Sequence, residues 1–311
     1  MRKVIGTGET TLDIIFRSNQ PEKAVPGGSV FNAMVSLARC GIPALFISEL
    51  GKDRISDLIR IFMQKNHLTT DYLDFYDCNS PLSLAFLDKN QNASYEFFKS
   101  PDFLKRKWYH HYDKIPGIQA DDILIMGSFY AVDRGLENCL RNKIINLLHY
   151  AAKQKAIIYY DINFRKAHAK ERSNISSIIK TNFKSSTIVR CSAEDLDVLY
   201  PRKTVAEVYE KNIAPYCKIF IVTQGEKEIL LKTETLEKSY PVEPLVPVST
   251  IGAGDNFNAG LIYGLMLENI LLEDLKDLSE DQWDKLIEYG KRFAAEVCKS
   301  MENYVGENFI S

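Results

Sequence analysis

The strongest constraint on how this 311-residue chain can fold is an alternation of short apolar runs with amphipathic stretches, sustained over most of its length. Val4–Gly6, Ala44–Ser48, Ile123–Met126, Ala156–Tyr160, Thr187–Val189 and Lys218–Val222 are largely apolar on successive residues, as strands buried on both faces must be. Between them, Val30–Arg39, Ile55–Lys65, Leu136–Lys153 and Val205–Ile213 carry apolar residues at helical spacing. Such alternation predicts an α/β fold, a mainly parallel central sheet with helices on both faces. One section breaks the rhythm. Pro81–Leu87 and Ala93–Phe98 flank the turn-like 88–92, which reads as a β-hairpin inserted into the scaffold. The pattern alone leaves two readings open: a lid that shuts water out of a reaction, or an ordinary edge hairpin. There is no internal repeat, low-complexity segment or interdomain linker, so 1–311 reads as a single domain. Lys166–Ser176 and Leu271–Gln282 are polar enough to read as solvated surface.

Composition excludes several functions. A formal charge of −2 argues against a dedicated nucleic-acid binder. No apolar run approaches the roughly 20 residues that span a bilayer, and the N-terminus lacks a signal-peptide apolar core. The six cysteines are scattered without a CxxC pair, which reads as reduced thiols in a cytoplasmic protein. There is no G-x-x-x-x-G-K-[ST] segment, and Gly6-Thr7-Gly8 lacks the third glycine of a dinucleotide fingerprint. The doublet His110-His111 has no carboxylate or thiol cluster beside it and reads as surface.

Four segments carry chemistry. In Val248–Phe257, the small residues Gly252, Ala253 and Gly254 turn the chain into a helix marked by Phe257, Leu261 and Leu265. A helix start offers unpaired N–H groups to an anion. Asp255 on that first turn would repel the anion, and makes sense as the acceptor of a proton from an attacking hydroxyl. A bland turn with a capping aspartate is the alternative. Upstream, Gly27-Gly28 precede a helix carrying Asn32, whose amide can both donate to and accept from sugar hydroxyls. Asp13 could accept from a pair of hydroxyls. Asn163 and Arg165 follow a strand, where open α/β sheets bind ligands. Thr223, Gly225 and Glu226 follow another, with room for an adenine nucleotide.

In this order and spacing, with Phe257 and Gly260 after the Gly252–Asp255 loop, these segments resemble the ribokinase-type (PfkB) family of carbohydrate kinases over nearly the whole sequence. The resemblance implies a ribokinase-like fold with a small β lid formed from about 9–25 and 80–100. It implies Asp255 as catalytic base and the amides of Gly252, Ala253 and Gly254 as an anion hole. Asp13, Gly27, Gly28, Asn32, Lys99, Asn163 and Arg165 fall to the sugar, and Ser192, Thr223, Gly225 and Glu226 to ATP. Asp195 is implied as a ligand of Mg2+ through water. Three places depart from the pattern, one of them Glu228, where many members have a glycine near the nucleotide. Ser249-Thr250 stands where the family usually has Asp-Thr, which leaves a monovalent-cation requirement open. Ser192 and Asp195 stand where many members carry Asn-x-x-Glu.

The resulting expectation is ATP-dependent phosphorylation of a sugar primary hydroxyl. The hairpin region is closest in character to fructokinases. Lys99 stands where many fructokinases and ketodeoxygluconate kinases have Arg, and it lacks the planar fork that grips a carboxylate, which favours a neutral sugar such as fructose. Ribose, nucleosides and 2-keto-3-deoxygluconate stay open as substrates. So does a different class, a catalytically weakened sensor that binds sugar or nucleotide. The apolar hairpin is compatible with a homodimer formed through the lid.

Overall fold

The computed structural model describes residues 1–89, 91–100, 115–133 and 138–310. In chain order the elements are β1 (Val4–Thr7), β2 (Thr11–Arg17), β3 (Gln20–Gly27), α1 (Ser29–Arg39), β4 (Ala44–Gly51), α2 (Arg54–Lys65), β5 (Leu73–Tyr76), β6 (Leu82–Leu87) and β7 (Ala93–Phe98). There follow β8 (Ile123–Gly127), α3 (Cys139–Lys153), β9 (Ile157–Asp161), α4 (Arg172–Ser185), β10 (Ile188–Ser192), α5 (Ala193–Leu199) and α6 (Val205–Val208). The last are β11 (Ile219–Thr223), β12 (Glu228–Lys232), β13 (Glu237–Pro241), α7 (Ala253–Leu267) and α8 (Glu280–Val297).

Among the described residues the strands form a nine-stranded sheet, ordered β13-β12-β11-β10-β9-β8-β1-β4-β5, and a four-stranded sheet, ordered β3-β2-β6-β7. From β11 to β5 the large sheet is parallel; β12 and β13 add an antiparallel edge. Its central strands β1, β8 and β9 are buried at every residue, because helices cover both faces. One face packs side chains of α1, α2, α7 and α8, including Phe31, Phe257 and Trp283. The other packs α3, α4 and α5, including Leu148, Phe183 and Leu196. Ordinary local chemistry starts the helices. Asp53 caps α2 by accepting from Ser56 N at 2.8 Å, and Ser279 with Gln282 forms a capping box at α8. No described helix is long and apolar enough to cross a membrane, and all six cysteines are free.

The hairpin expected at 81–98 is present as β6 and β7, and it continues a sheet begun by β2 and β3. Thr11, Asp13 and Ile15 alternate inward along β2, with Ser83 and Ala85 beside them on β6. Three expectations need correction. The stretch Val205–Ile213 is not one helix. It divides into α6 and a wider turn at Tyr209–Ile213, closed by Ala214 N donating to Tyr209 O at 2.8 Å. Lys166–Ser176 is not uniformly solvated, since it forms a short 3-10 turn and the start of α4, with Ile175 buried. Leu271–Gln282 likewise buries Leu275. The expected helix at 136–153 is described from Cys139 onward, and His110-His111 lie outside the described residues.

Candidate active site

The C-terminal ends of the parallel strands open into a cleft that the small sheet covers from one side. Asp255 reaches it from the first turn of α7. That helix begins at Gly252, which is left-handed at φ 77 and lies so close to the Asn303 carbonyl that a Cβ would meet its oxygen at 2.6 Å. Asn256 fixes the turn by donating from its side chain to both Gly252 O and Asn303 O at 2.8 Å. The Asp255 carboxylate is buried but not idle. Ser29 Oγ donates to its Oδ1 and Asn32 Nδ2 to its Oδ2, each at 2.8 Å. The two bonds set the plane of the carboxylate while each oxygen keeps accepting capacity toward the cleft. One N–H of the Asn32 amide is thereby engaged. Its Oδ1 stays buried with no partner among the described residues, which leaves one acceptor unfilled.

Asp13 approaches from the small sheet. Thr11 Oγ1 donates to its Oδ1 at 2.7 Å and Asn303 Nδ2 to its Oδ2 at 2.9 Å. Burial pushes its pKa up to about 6; the Thr11 and Asn303 bonds oppose that rise, and the charge of Asp255 adds to it. Gly27 belongs to this carboxylate more than to a ligand: a Cβ there would lie 2.0 Å from Asp13 Oδ2. It does not line the cleft, whereas Gly28 does. Asn163 and Arg165 enter from the loop after β9, and the Arg165 guanidinium stands 5.2 Å from the Tyr95 ring centroid on β7. Lys99, just beyond β7, pairs with Glu9 at 2.6 Å.

Behind the Gly252–Asp255 loop lies a second, largely buried cluster, open only at Thr223. Arg190, on β10, places its guanidinium where a Cβ on Gly254 would meet Nη2 at 3.0 Å. Its Nη1 donates to Asp161 Oδ1 at 3.2 Å, and its Nη2 donates to Thr223 Oγ1. Asp161 Oδ2 accepts from Asn258 Nδ2 at 2.8 Å, and Asn258 Oδ1 accepts from the Tyr159 hydroxyl at 2.9 Å. Burial raises Asp161 to about 6, and Arg190 pulls in the opposite direction.

A sequence model of the pfkB family carbohydrate kinases matches residues 1–305. The chain belongs to that family. Probable fructokinase-4 of Arabidopsis thaliana is 24% identical over 264 residues, 82% of this chain and 77% of the relative. The fold of this pfkB-family chain is also that of a fructokinase double mutant from Vibrio cholerae O395, bound to fructose, ADP and a potassium ion. The two match with a TM-score of 0.83 at 20% identity over 97% of this chain and 94% of that one. Aminoimidazole riboside kinase from Salmonella enterica, complexed with aminoimidazole riboside and an ATP analog, matches with a TM-score of 0.81 at 20% identity over 100% of both chains.

In this pfkB-family chain one cleft collects Asp13, Gly28, Asn32, Lys99, Asn163, Arg165 and Asp255. The residues assigned to the nucleotide lie elsewhere. Thr223 ends β11, and Gly225 (φ 60) and Glu226 form the turn into β12. Ser192 and Asp195 are a helix cap first of all. Ser192 N and Oγ donate to Asp195 Oδ2 at 3.0 and 2.8 Å, and Asp195 N donates to Ser192 Oγ at 3.1 Å. The cap engages Oδ2. Among the described residues no three His, Cys, Asp or Glu side chains group as a metal cage. Asp195 alone could act toward a magnesium ion only through water, since that ion takes one or two carboxylates together with substrate phosphates and its own waters. Sequence reasoning missed Glu9, Ser29, Phe129, His168 and Arg190. His168 lies 4.2 Å from Phe129, ring to ring, and lines the cleft from within the run read as solvent-facing. Arg190 did leave a signal: an arginine inside an apolar strand needs a buried partner.

Proposed function

We propose that this chain is an ATP-dependent kinase that phosphorylates a primary hydroxyl of a neutral sugar, fructose foremost, with Asp255 as the general base. One observation carries the reading: Asp255, on the first turn of a helix, opens into the same cleft as Asp13, Asn32 and Asn163. A hydroxyl held there gives its proton to Asp255 as the oxygen attacks the γ-phosphate in line, and the bond from the γ-phosphorus to the ADP oxygen breaks so that ADP leaves. Ser29 and Asn32 keep the carboxylate aimed, which lowers the cost of reaching the reactive geometry. Asn32 Oδ1 and the Asp13 carboxylate accept from the other hydroxyls. The main-chain amides of Gly252, Ala253 and Gly254, at a helix start, receive the negative charge of the migrating phosphoryl group. Thr223, Gly225, Glu226 and Ser192 serve the nucleotide side. Magnesium, held by ATP with Asp195 through water, would neutralise phosphate charge.

The small sheet acts as the lid, since its Tyr95 and Phe97 form one wall of the cleft. Phe16 and Phe86 stack at 4.9 Å beside Ile14 and Leu84, positions that alternate away from the cleft-facing residues of the same strands. This supports dimerisation through the lid. The function is tested by coupled ADP release over a panel of sugars and nucleosides. Turnover fastest on fructose is expected. Binding without turnover anywhere on the panel would overturn the kinase reading in favour of a sensor, and turnover fastest on a nucleoside or sugar acid would overturn the substrate.

A further inference from the structure

We infer that Glu9 is a specificity-determining residue, whose carboxylate tunes the cleft to accept an uncharged polyol and to reject a sugar bearing a carboxylate or phosphate. This rests on the sugar-kinase reading above and adds to it a residue and a selection rule.

Glu9 lies in the link between β1 of the large sheet and β2 of the small one, so it stands at the hinge of the lid. The link is not loose. Ser48 Oγ donates to Gly8 O at 2.7 Å and lies 3.1 Å from Thr10 Oγ1, both contacts buried. On the other side the Glu9 carbonyl is in tight contact with Gly28, where a Cβ would meet it at 2.3 Å. The side chain therefore leaves a fixed backbone and lines the cleft, meeting Lys99 at 2.6 Å with both side chains about a quarter exposed, 23% and 28%.

Among the described ionisable groups lining the cleft, the carboxylates of Glu9, Asp13 and Asp255 face the cations Lys99 and Arg165. His168 adds no charge at neutral pH, because burial and then the nearby Lys99 lower its pKa. The balance is negative. An incoming carboxylate or phosphate would compete with Glu9 for Lys99 and meet two further carboxylates below. A polyol meets no such opposition, since its hydroxyls both donate to carboxylates and accept from Lys99.

The test is calorimetric binding of fructose and of 2-keto-3-deoxygluconate to the wild type, Glu9→Gln and Lys99→Gln, alongside wild-type turnover. The wild type should favour fructose. Glu9→Gln should narrow the preference by about tenfold, as expected for one unit charge a few ångströms away behind partial solvent screening. Lys99→Gln should widen it. Opposite signs report charge, whereas general damage to the lid would move both variants the same way. The inference fails if the wild type favours the acid, if Glu9→Gln leaves the ratio within twofold, or if both variants shift it in one direction. Wild-type phosphorylation of fructose with an unmoved ratio would sink the role of Glu9 alone. A wild type that binds neither sugar would sink the sugar-kinase reading with it.

Discussion

Two polar regions flank the Gly252–Asp255 loop and are built on opposite principles. On the cleft side, Asp13, Asn32 and Asp255 are held by neighbours yet keep acceptors unfilled, Asn32 Oδ1 most clearly. On the far side, Arg190, Asp161, Thr223, Asn258 and Tyr159 bond chiefly to one another, with Arg190 and Asp161 at 4% and 1% exposure. On the function proposed above, the first arrangement is left open to receive a ligand and the second braces the loop that the ligand meets. Substitutions in the cleft should therefore cost binding and turnover, and substitutions in the brace should cost stability as well.

The sharpest way to break that contrast is Arg190→Met. It leaves Asp161 buried without its ion-pair partner, and the expected loss is about 3–5 kcal/mol of stability, read by denaturant unfolding. Adding Asp161→Asn should recover much of it by removing the stranded charge. A loss within about 0.5 kcal/mol would mean that the cluster braces nothing. Next comes Asp13→Asn, expected to lower sugar affinity by about tenfold or more, because a hydrogen bond to an ionised group is lost, with little change in unfolding. Stability loss as large as that of the Arg190 variant would erase the distinction between the regions.

Acidity separates them further. The pKa values of Asp13 and Asp161 are each raised to about 6, above the ordinary carboxylate value. Between roughly pH 4 and 6 the folded protein therefore holds protons that the unfolded chain has released, so these groups favour the folded state more as pH falls through about 6. Sugar affinity should move the other way, since a protonated Asp13 loses acceptor capacity. Comparing the melting temperature of Asp13→Asn with wild type at pH 7.5 and pH 5 checks the sign: the shift on acidification should favour wild type. The smallest effect belongs to His168→Ala. Losing its ring contacts with Phe129, Phe97 and Phe164, of which the first at 4.2 Å is the nearest, should raise the sugar KM a few-fold without touching the brace.

Much of this was legible in the chain, and the errors share a cause. The strands at 44–48, 123–126, 156–160, 187–189 and 218–222 were all expected, yet each continues past its apolar run, to Gly51, Gly127, Asp161, Ser192 and Thr223. Hydropathy stops where polar residues begin, but the backbone ladder does not. Those last residues are where an open parallel sheet presents side chains to a ligand, so the pattern fades at the site itself. Asn32 and Gly27 were singled out, but their neighbours were invisible: Asp255 lies 223 residues from Asn32 and only the fold joins them. His168 gave no signal, since a histidine among lysines and serines looks solvated until Phe129 is placed against it. The cap formed by Ser192 and Asp195 had the spacing of a capping box, a local reading that a metal role had overshadowed.

Asp255→Asn is the most direct test of the account, assayed by coupled ADP release with fructose binding measured in parallel by calorimetry. The substitution keeps the shape of the side chain and removes its basicity. Turnover should fall by about 10²–10⁴ while fructose affinity stays within a few-fold of wild type. Turnover close to wild type, with binding intact, would contradict the assignment of Asp255 as the base and the mechanism built on it.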